Sequence, residues 1–423
     1  MKKIWLILVV MTLIIPVSVY AGGKKEEAPV AVTFSLMAAG TYDKAAEEIK
    51  PQFEKETGIQ LTIAAFPWAT LRQNNTTDLL TGTGKYDIMS GSYYLADVYS
   101  HFISLDDYIK ESGFGKGLLS GFMEKCEHFK GHQIGLPYGP DAYGMLYRKD
   151  LFDEAGLSWP ATWDQFMAML PRMKAVADSH GMDTIVFSGG APEQAPALFF
   201  DKYDGYFITK DGKYQLERNK AIEVLNTDKE LLKYMAGDFM GLSIDDANAR
   251  FLDGKALSII CWPSFIVAAA DNPEKSRVVG KWSLGKSPTP GRPWLSLWQI
   301  YISKYSKNPD AAWKWAMAYI NEKNDVHFFK TYGIGPVFES TYKNPELAKK
   351  YSHYFPAQSY NLTRAVNPPL SGESQDYFAS VLGEFGLGKL NAREAVDKIN
   401  EKWATLPVPE ALSENAIITG QVE

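Results

Sequence analysis

Residues 30–66 read VAVTFSLMAAGTYDKAAEEIKPQFEKETGIQLTIAAF, and this stretch decides the fold. Residues 30–36 alternate apolar and polar as a strand does. In the stretch Tyr42–Thr57, Ala45, Ile49 and Phe53 stand at i, i+4 and i+8, the stripe of an amphipathic helix. Pro51 within it is expected to kink or split that helix, and Gly58 to stop it. A β-branched run then restarts over residues 59–65. Strand, helix and strand at this spacing make a βαβ unit, which predicts α/β architecture with a parallel sheet.

The pattern repeats along the chain. Residues 71–80 read as a helix, 82–85 as a loop and 87–91 (DIMSG) as a short buried strand. A second α/β region opens near Asp141 with a strand over 143–147 and helices over 163–177 and 219–235. Asp211-Gly212 inside 207–215 signals a hairpin. Pro288, Pro290 and Pro293 interrupt the pattern and suggest a crossing between domains. A Trp- and Ala-rich helix resumes over 309–320, with helical segments to about Trp403. A region of this size is expected to form two cores.

Of the 423 residues, 46% are hydrophobic and 22% charged, which supports a sizeable core and excludes wholesale disorder. The 11 Trp, 23 Tyr and 22 Phe are abundant enough to require a use. With 44 basic against 50 acidic residues and a net charge of −6, the chain lacks the basic balance that a nucleic-acid partner requires. Residues 1–21 read as an export signal. Lys2 and Lys3 precede an apolar run over 4–19, and Val19 and Ala21 are the small residues before a cleavage point at Gly22. An uncleaved anchor is the other reading. Cleavage leaves 42 basic against 50 acidic residues, a net of −8, and implies a periplasmic location. Residues 22–28 form a charged, flexible leader with no Cys to accept a lipid. The two cysteines, Cys126 and Cys261, read as buried thiols, a single long-range bridge being the alternative.

Several motifs carry less than their letters suggest. Residues 280–287 (GKWSLGKS) match the phosphate-loop pattern, but Pro288 and Pro290 deny it the helix that phosphate chemistry needs. His128 and His132 stand four apart, yet Gly131 argues for a turn rather than a chelating helix, so no metal site is expected. Residues 201–205 (DKYDG) lack the alternating ligands of a calcium loop. No nucleophile elbow is present.

Other segments carry a resemblance. They are Thr57-Gly58-Ile59 after an acidic helix, residues 131–137 (GHQIGLP), 147–152 (YRKDLF) with Ala155-Gly156-Leu157, 160–166 (PATWDQF), 251–256 (FLDGKA), 288–291 and 306–313 (SKNPDAAW). In this order the chain resembles the extracellular solute-binding proteins, family 1, the maltose-binding-like sugar-binding components of ABC importers. The resemblance implies a two-lobe periplasmic-binding-protein fold, each lobe a sheet flanked by helices. Three crossings are expected near 137–141, 290–297 and 335–339. Lobe one would hold 29–138 plus 293–335, and lobe two 142–289 plus 338–423. It further implies a monomer without cofactor or catalysis that holds a small carbohydrate between its lobes and delivers it to a membrane permease.

Sugars present apolar C–H faces and hydroxyl edges, so their sites pair aromatic platforms with polar side chains. The resemblance places at the cleft the loop Gly40-Thr41-Tyr42, Trp68, the run Ser92-Tyr93-Tyr94, and Asp141 in the first crossing. From the second lobe come Glu193, Gln194, Trp262, Arg364 and Tyr377, with Trp298 at the second crossing. Trp163, Trp313, Trp315 and Trp403 sit on helical stripes and read as core. Two alternatives stay open. One is the same fold holding a polyol or a glycerol-phosphate-type ligand. The other is a secreted carbohydrate-active enzyme, which would need a close carboxylate pair.

Overall fold

The computed structural model describes residues 29–38, 41–191, 194–370 and 372–423. The expected export signal and leader, Gly40 and Glu193 lie outside the described residues. The strands are β1 (Ala31–Met37), β2 (Gln60–Phe66), β3 (Ile88–Gly91), β4 (His128–Phe129), β5 (His132–Gln133), β6 (Leu136–Ala142), β7 (Gly144–Arg148), β8 (Asp183–Phe187), β9 (Ala256–Cys261), β10 (Trp282–Leu284) and β11 (Leu295–Ile302).

The βαβ unit forms where the periodicity places it. β1 and β2 pair in parallel from Ala31↔Gln60 to Met37↔Phe66. Between them the helix Tyr42–Thr57 runs through Pro51 without splitting, contrary to one of the two expectations. Proline forfeits one intrahelical bond, but Tyr42, Ala45 and Ala46 before it and Phe53 after it are all buried, so packing holds both halves in one line. Gly58 adopts φ 70° and donates its N–H to the Glu54 carbonyl, closing the helix.

Both large sheets are mixed rather than parallel, which corrects the sequence reading. The five-stranded sheet has the order β2-β1-β3-β11-β6, and β11 runs antiparallel to β3 and β6. The four-stranded sheet has the order β10-β7-β9-β8, with β7 antiparallel to both neighbours and β8 parallel to β9. The βαβ rule governs strands joined by a helix on one sheet. β11 instead enters from the other sheet after β10, so nothing constrains it to the parallel direction.

The chain passes between the parts built on the two sheets at three places, twice by changing sheet and once by helices alone. Between Ala142 and Gly144 it leaves the five-stranded sheet as β6 and enters the four-stranded one as β7. Between β10 and β11 it returns through the proline cluster. A third passage follows the helix Glu322–Tyr332, after which Leu347 and Tyr354 join the core built on Leu146, Ile259 and Trp282. Here Gly335 lies so close to the first passage that a Cβ would overlap the Pro140 carbonyl oxygen. The Asp325 carboxylate accepts the Val337 and Phe338 N–H groups (2.8 and 3.3 Å), fixing the same segment.

The C-terminal helices pack in two different places. Gly372–Gly386 packs on Ala195–Phe200 and on Ala392–Trp403. The last helix, Glu410–Ile418, instead lies against β4, although the sequence reading groups it with lobe two. The Glu414 carboxylate accepts the Lys130 and Gly131 N–H groups, and Asn415 bonds both the N–H and the carbonyl of His128. The phosphate-loop match dissolves into β10, paired with β7, and Ser287 gives its N–H to the Asn361 side chain. His128 and His132 fall on a two-stranded hairpin. Cys126 and Cys261 are free and buried, and burial pushes both thiols up. Trp163, Trp313, Trp315 and Trp403 are core residues.

Candidate ligand-binding pocket

A pocket of about 880 Å³, part of it open to solvent, lies at the seam of the two sheets. Its first wall comes from the ends of the five-stranded sheet. Met37 closes β1, Tyr42 and Trp68 open the helices that follow β1 and β2, and Ser92, Tyr93 and Tyr94 follow β3. Ligands in open α/β sheets gather at strand ends because successive loops converge there. Trp294, Ser296 and Trp298 line the floor from β11 and the residue before it. The opposite wall holds Gln194, Ile244, Trp262, Ser264, Phe265 and Gln375, carried mainly by loops and helices that follow or flank strands of the four-stranded sheet.

The rings support one another. Tyr94 meets Trp68 and Trp298 edge-on at 5.7 and 6.3 Å, and Tyr42 leans on Trp298 at 5.8 Å. Across the pocket Trp262 packs on Trp294 at 5.3 Å and on Tyr143 at 4.7 Å. Such edge contacts leave ring faces free to receive an apolar ligand surface. The Trp262 indole N–H donates to Gln194 Oε1 at 3.0 Å, which orients both side chains.

Asp141 is buried at 3% exposure, and burial pushes its carboxyl up to about 6 against the hydrogen bonds it receives. It accepts the Ser264 N–H at 2.8 Å and the Gln358 amide at 3.1 Å, tying the end of β6 to the second wall. Among the described residues it is the one ionisable carboxyl lining the pocket, and no Lys or Arg lines it. A neutral ligand meets no uncompensated charge here, whereas a phosphate would find no cation. Tyr94 Oη and Gln375 Oε1 are among the buried polar atoms of the lining that have no partner among the described residues.

Of the residues expected at the cleft, Tyr42, Trp68, Tyr93, Asp141, Gln194, Trp262 and Trp298 line this pocket, and Thr41, Arg364 and Tyr377 do not. Thr41 donates its hydroxyl to the Tyr332 carbonyl at 3.0 Å, away from the pocket. Arg364 spends its guanidinium on the Ser287 and Gly291 carbonyls (2.7 and 2.5 Å), holding the proline-rich crossing. Tyr377 packs half-buried on the core, while Gln375 of the same helix lines the pocket. Two positions along a helix differ by about 200°, so the two side chains point apart. Sequence reasoning missed Trp294 and Ser296, though alternation with Trp298 on one strand was a signal that could have found them. Ile244, Ser264, Phe265 and Gln375 carry no such local signal.

The family model for bacterial extracellular solute-binding proteins matches residues 38–325, and the chain belongs to that family. A protein of Brucella abortus (strain 2308), named as a binding protein, is 28% identical over 282 residues, 63% of this chain. The matched stretch covers 66% of that relative's length, just under two thirds. The crystal structure of an ABC transporter solute-binding protein from Agrobacterium radiobacter K84, in complex with ribitol, superposes with a TM-score of 0.76 at 21% identity. It covers 89% of this chain and 98% of that one. Maltose-bound MalE3 of T. maritima gives a TM-score of 0.75 at 19% identity, covering 88% and 99%. The fold is therefore that of the two-lobe solute-binding proteins.

Proposed function

We infer that this protein captures a small neutral carbohydrate or polyol between its lobes and hands it to an ABC permease. The observation that carries the reading is the pocket itself: eight aromatic residues, a few polar groups and no basic side chain among the described lining residues. Buried polar atoms without partners cost about 1–3 kcal/mol each. Ligand hydroxyls that reach Tyr94 Oη and Gln375 Oε1 would remove that cost. Bridging both walls, such a ligand shifts an open–closed equilibrium toward the closed form. The ribitol and maltose held by the two similar structures favour this ligand class.

The finer parts of the reading are an exported, unlipidated monomer that binds without turning over its ligand, and the lobe boundaries given by the three crossings. No helix among the described residues is long and apolar enough to cross a membrane. A retaining or inverting glycosidase needs two carboxyls at the bond it cleaves. A thermal-shift screen with ribitol, mannitol, maltose, monosaccharides and glycerol phosphates tests the reading. A ligand at 100 times its Kd adds about 2.7 kcal/mol to stability. If only phosphorylated compounds, or none, raised the melting temperature, the neutral-ligand reading would fail.

A further inference from the structure

Gln375 joins the two walls at the point where they meet the pocket. Its Nε2 donates to Tyr93 Oη at 3.1 Å. Tyr93 follows β3 of the five-stranded sheet, and Gln375 stands on the helix Gly372–Gly386, which packs on the helix Ala195–Phe200 beyond β8. Both partners line the pocket and both are buried, at 6% and 7% exposure. The bond can form only with the walls together. The other end of the amide, Oε1, is buried and has no partner among the described residues. Side-chain amides offer a donor and an acceptor in one rigid plane, so fixing one end aims the other.

Resting on the reading of a pocket for neutral hydroxylated ligands, we propose that Gln375 couples ligand to closure. One end of its amide holds Tyr93 across the seam while the other accepts a hydroxyl of the bound ligand. Ligand and latch then strengthen together, because a ligand bonded to Oε1 orients Nε2 toward Tyr93. The ion pair Arg72–Asp376, 3.4 Å and exposed on the acidic side, crosses the same seam one residue further along. In water it contributes little, so of these two neighbouring contacts the buried amide is the one that can couple.

The test compares wild type with Gln375→Leu, Tyr93→Phe and Asp376→Asn, by small-angle scattering without ligand and by calorimetry with ribitol, mannitol and maltose. Gln375→Leu loses both ends of the amide and is expected to weaken binding at least tenfold and to open the ligand-free ensemble. Tyr93→Phe keeps the ligand's acceptor but frees the latch. It is expected to open the ligand-free ensemble as far while weakening binding less, about threefold. Asp376→Asn is expected to change neither. A merely structural Gln375 would lower the melting temperature without shifting the scattering profile. Wild-type affinity and compaction in Gln375→Leu would overturn the proposal, and so would an unaltered ligand-free profile in both pocket variants. If wild type bound none of the three probes, the neutral-ligand reading would fall. The ligand-free scattering would still decide the latch, and Tyr93→Phe decides it if the leucine variant does not fold.

Discussion

Trp68 and Trp298 touch the same tyrosine from different depths. Trp298 is 6% exposed on a central strand, whereas Trp68 is half-buried at the start of a helix. Truncating a buried large ring removes its transfer energy and leaves a cavity, so Trp298→Ala is expected to lose about 3–5 kcal/mol in urea denaturation. Trp68→Ala should cost about 1 kcal/mol or less while weakening ligand binding, in calorimetry, by an order of magnitude. Equal stability losses would make Trp68 a core residue and remove it from the site. The sequence marks both as aromatic but not their depth, since a tryptophan letter is the same on a strand floor and on a pocket rim. Tyr377 teaches the same lesson: the helix was legible, its rotation was not, and Gln375 took the place facing the pocket.

At the scale of elements, the feature with the strongest local code came out as read and a weaker one came out in part. The βαβ unit has a period-2 run, a period-3.6 stripe and a stopping glycine, and it forms over those residues. At Asp211-Gly212 the turn forms, with Gly212 at φ 76° and Thr209 bonded to Lys213, but in place of two paired strands there is a single antiparallel bridge, Ile208 to Tyr214. The direction of β11 was not legible, because it depends on the sheet from which the chain arrives. The third passage depends on closeness of backbones that no local pattern encodes. There Gly335→Ala must push a methyl into the Pro140 carbonyl, and a loss of about 1–3 kcal/mol is expected in chemical denaturation. A neutral effect would mean that the passages separate easily.

For the whole molecule, four buried carboxyls predict how stability follows pH. Burial pushes Glu127, Asp201 and Asp325 up to about 7 and Asp141 up to about 6. Each then holds more protons folded than unfolded between its unfolded value near 4 and its folded one. Raising pH through that window therefore disfavours the folded state. The melting temperature is expected to fall as pH rises from about 4.5 to 7. Glu127→Gln keeps an acceptor for the Gln299 and Asn367 amides and should flatten part of that slope. An unchanged slope in that variant would remove Glu127 from the account. Composition and short-range periodicity suffice for the α/β class, for a size that allows two cores and for the rings and acids available, because these are local properties of the chain. The residues proposed for the first wall of the pocket came instead from the family resemblance, carried by motifs each confined to a short segment. Tertiary structure alone decided which strands run antiparallel and which face of the late helix meets the pocket. It also decided that Arg364 holds a crossing and that Gln375 meets Tyr93. Those outcomes depend on contacts between residues up to 282 positions apart, where the geometry of packing, and no local propensity, chooses the partner.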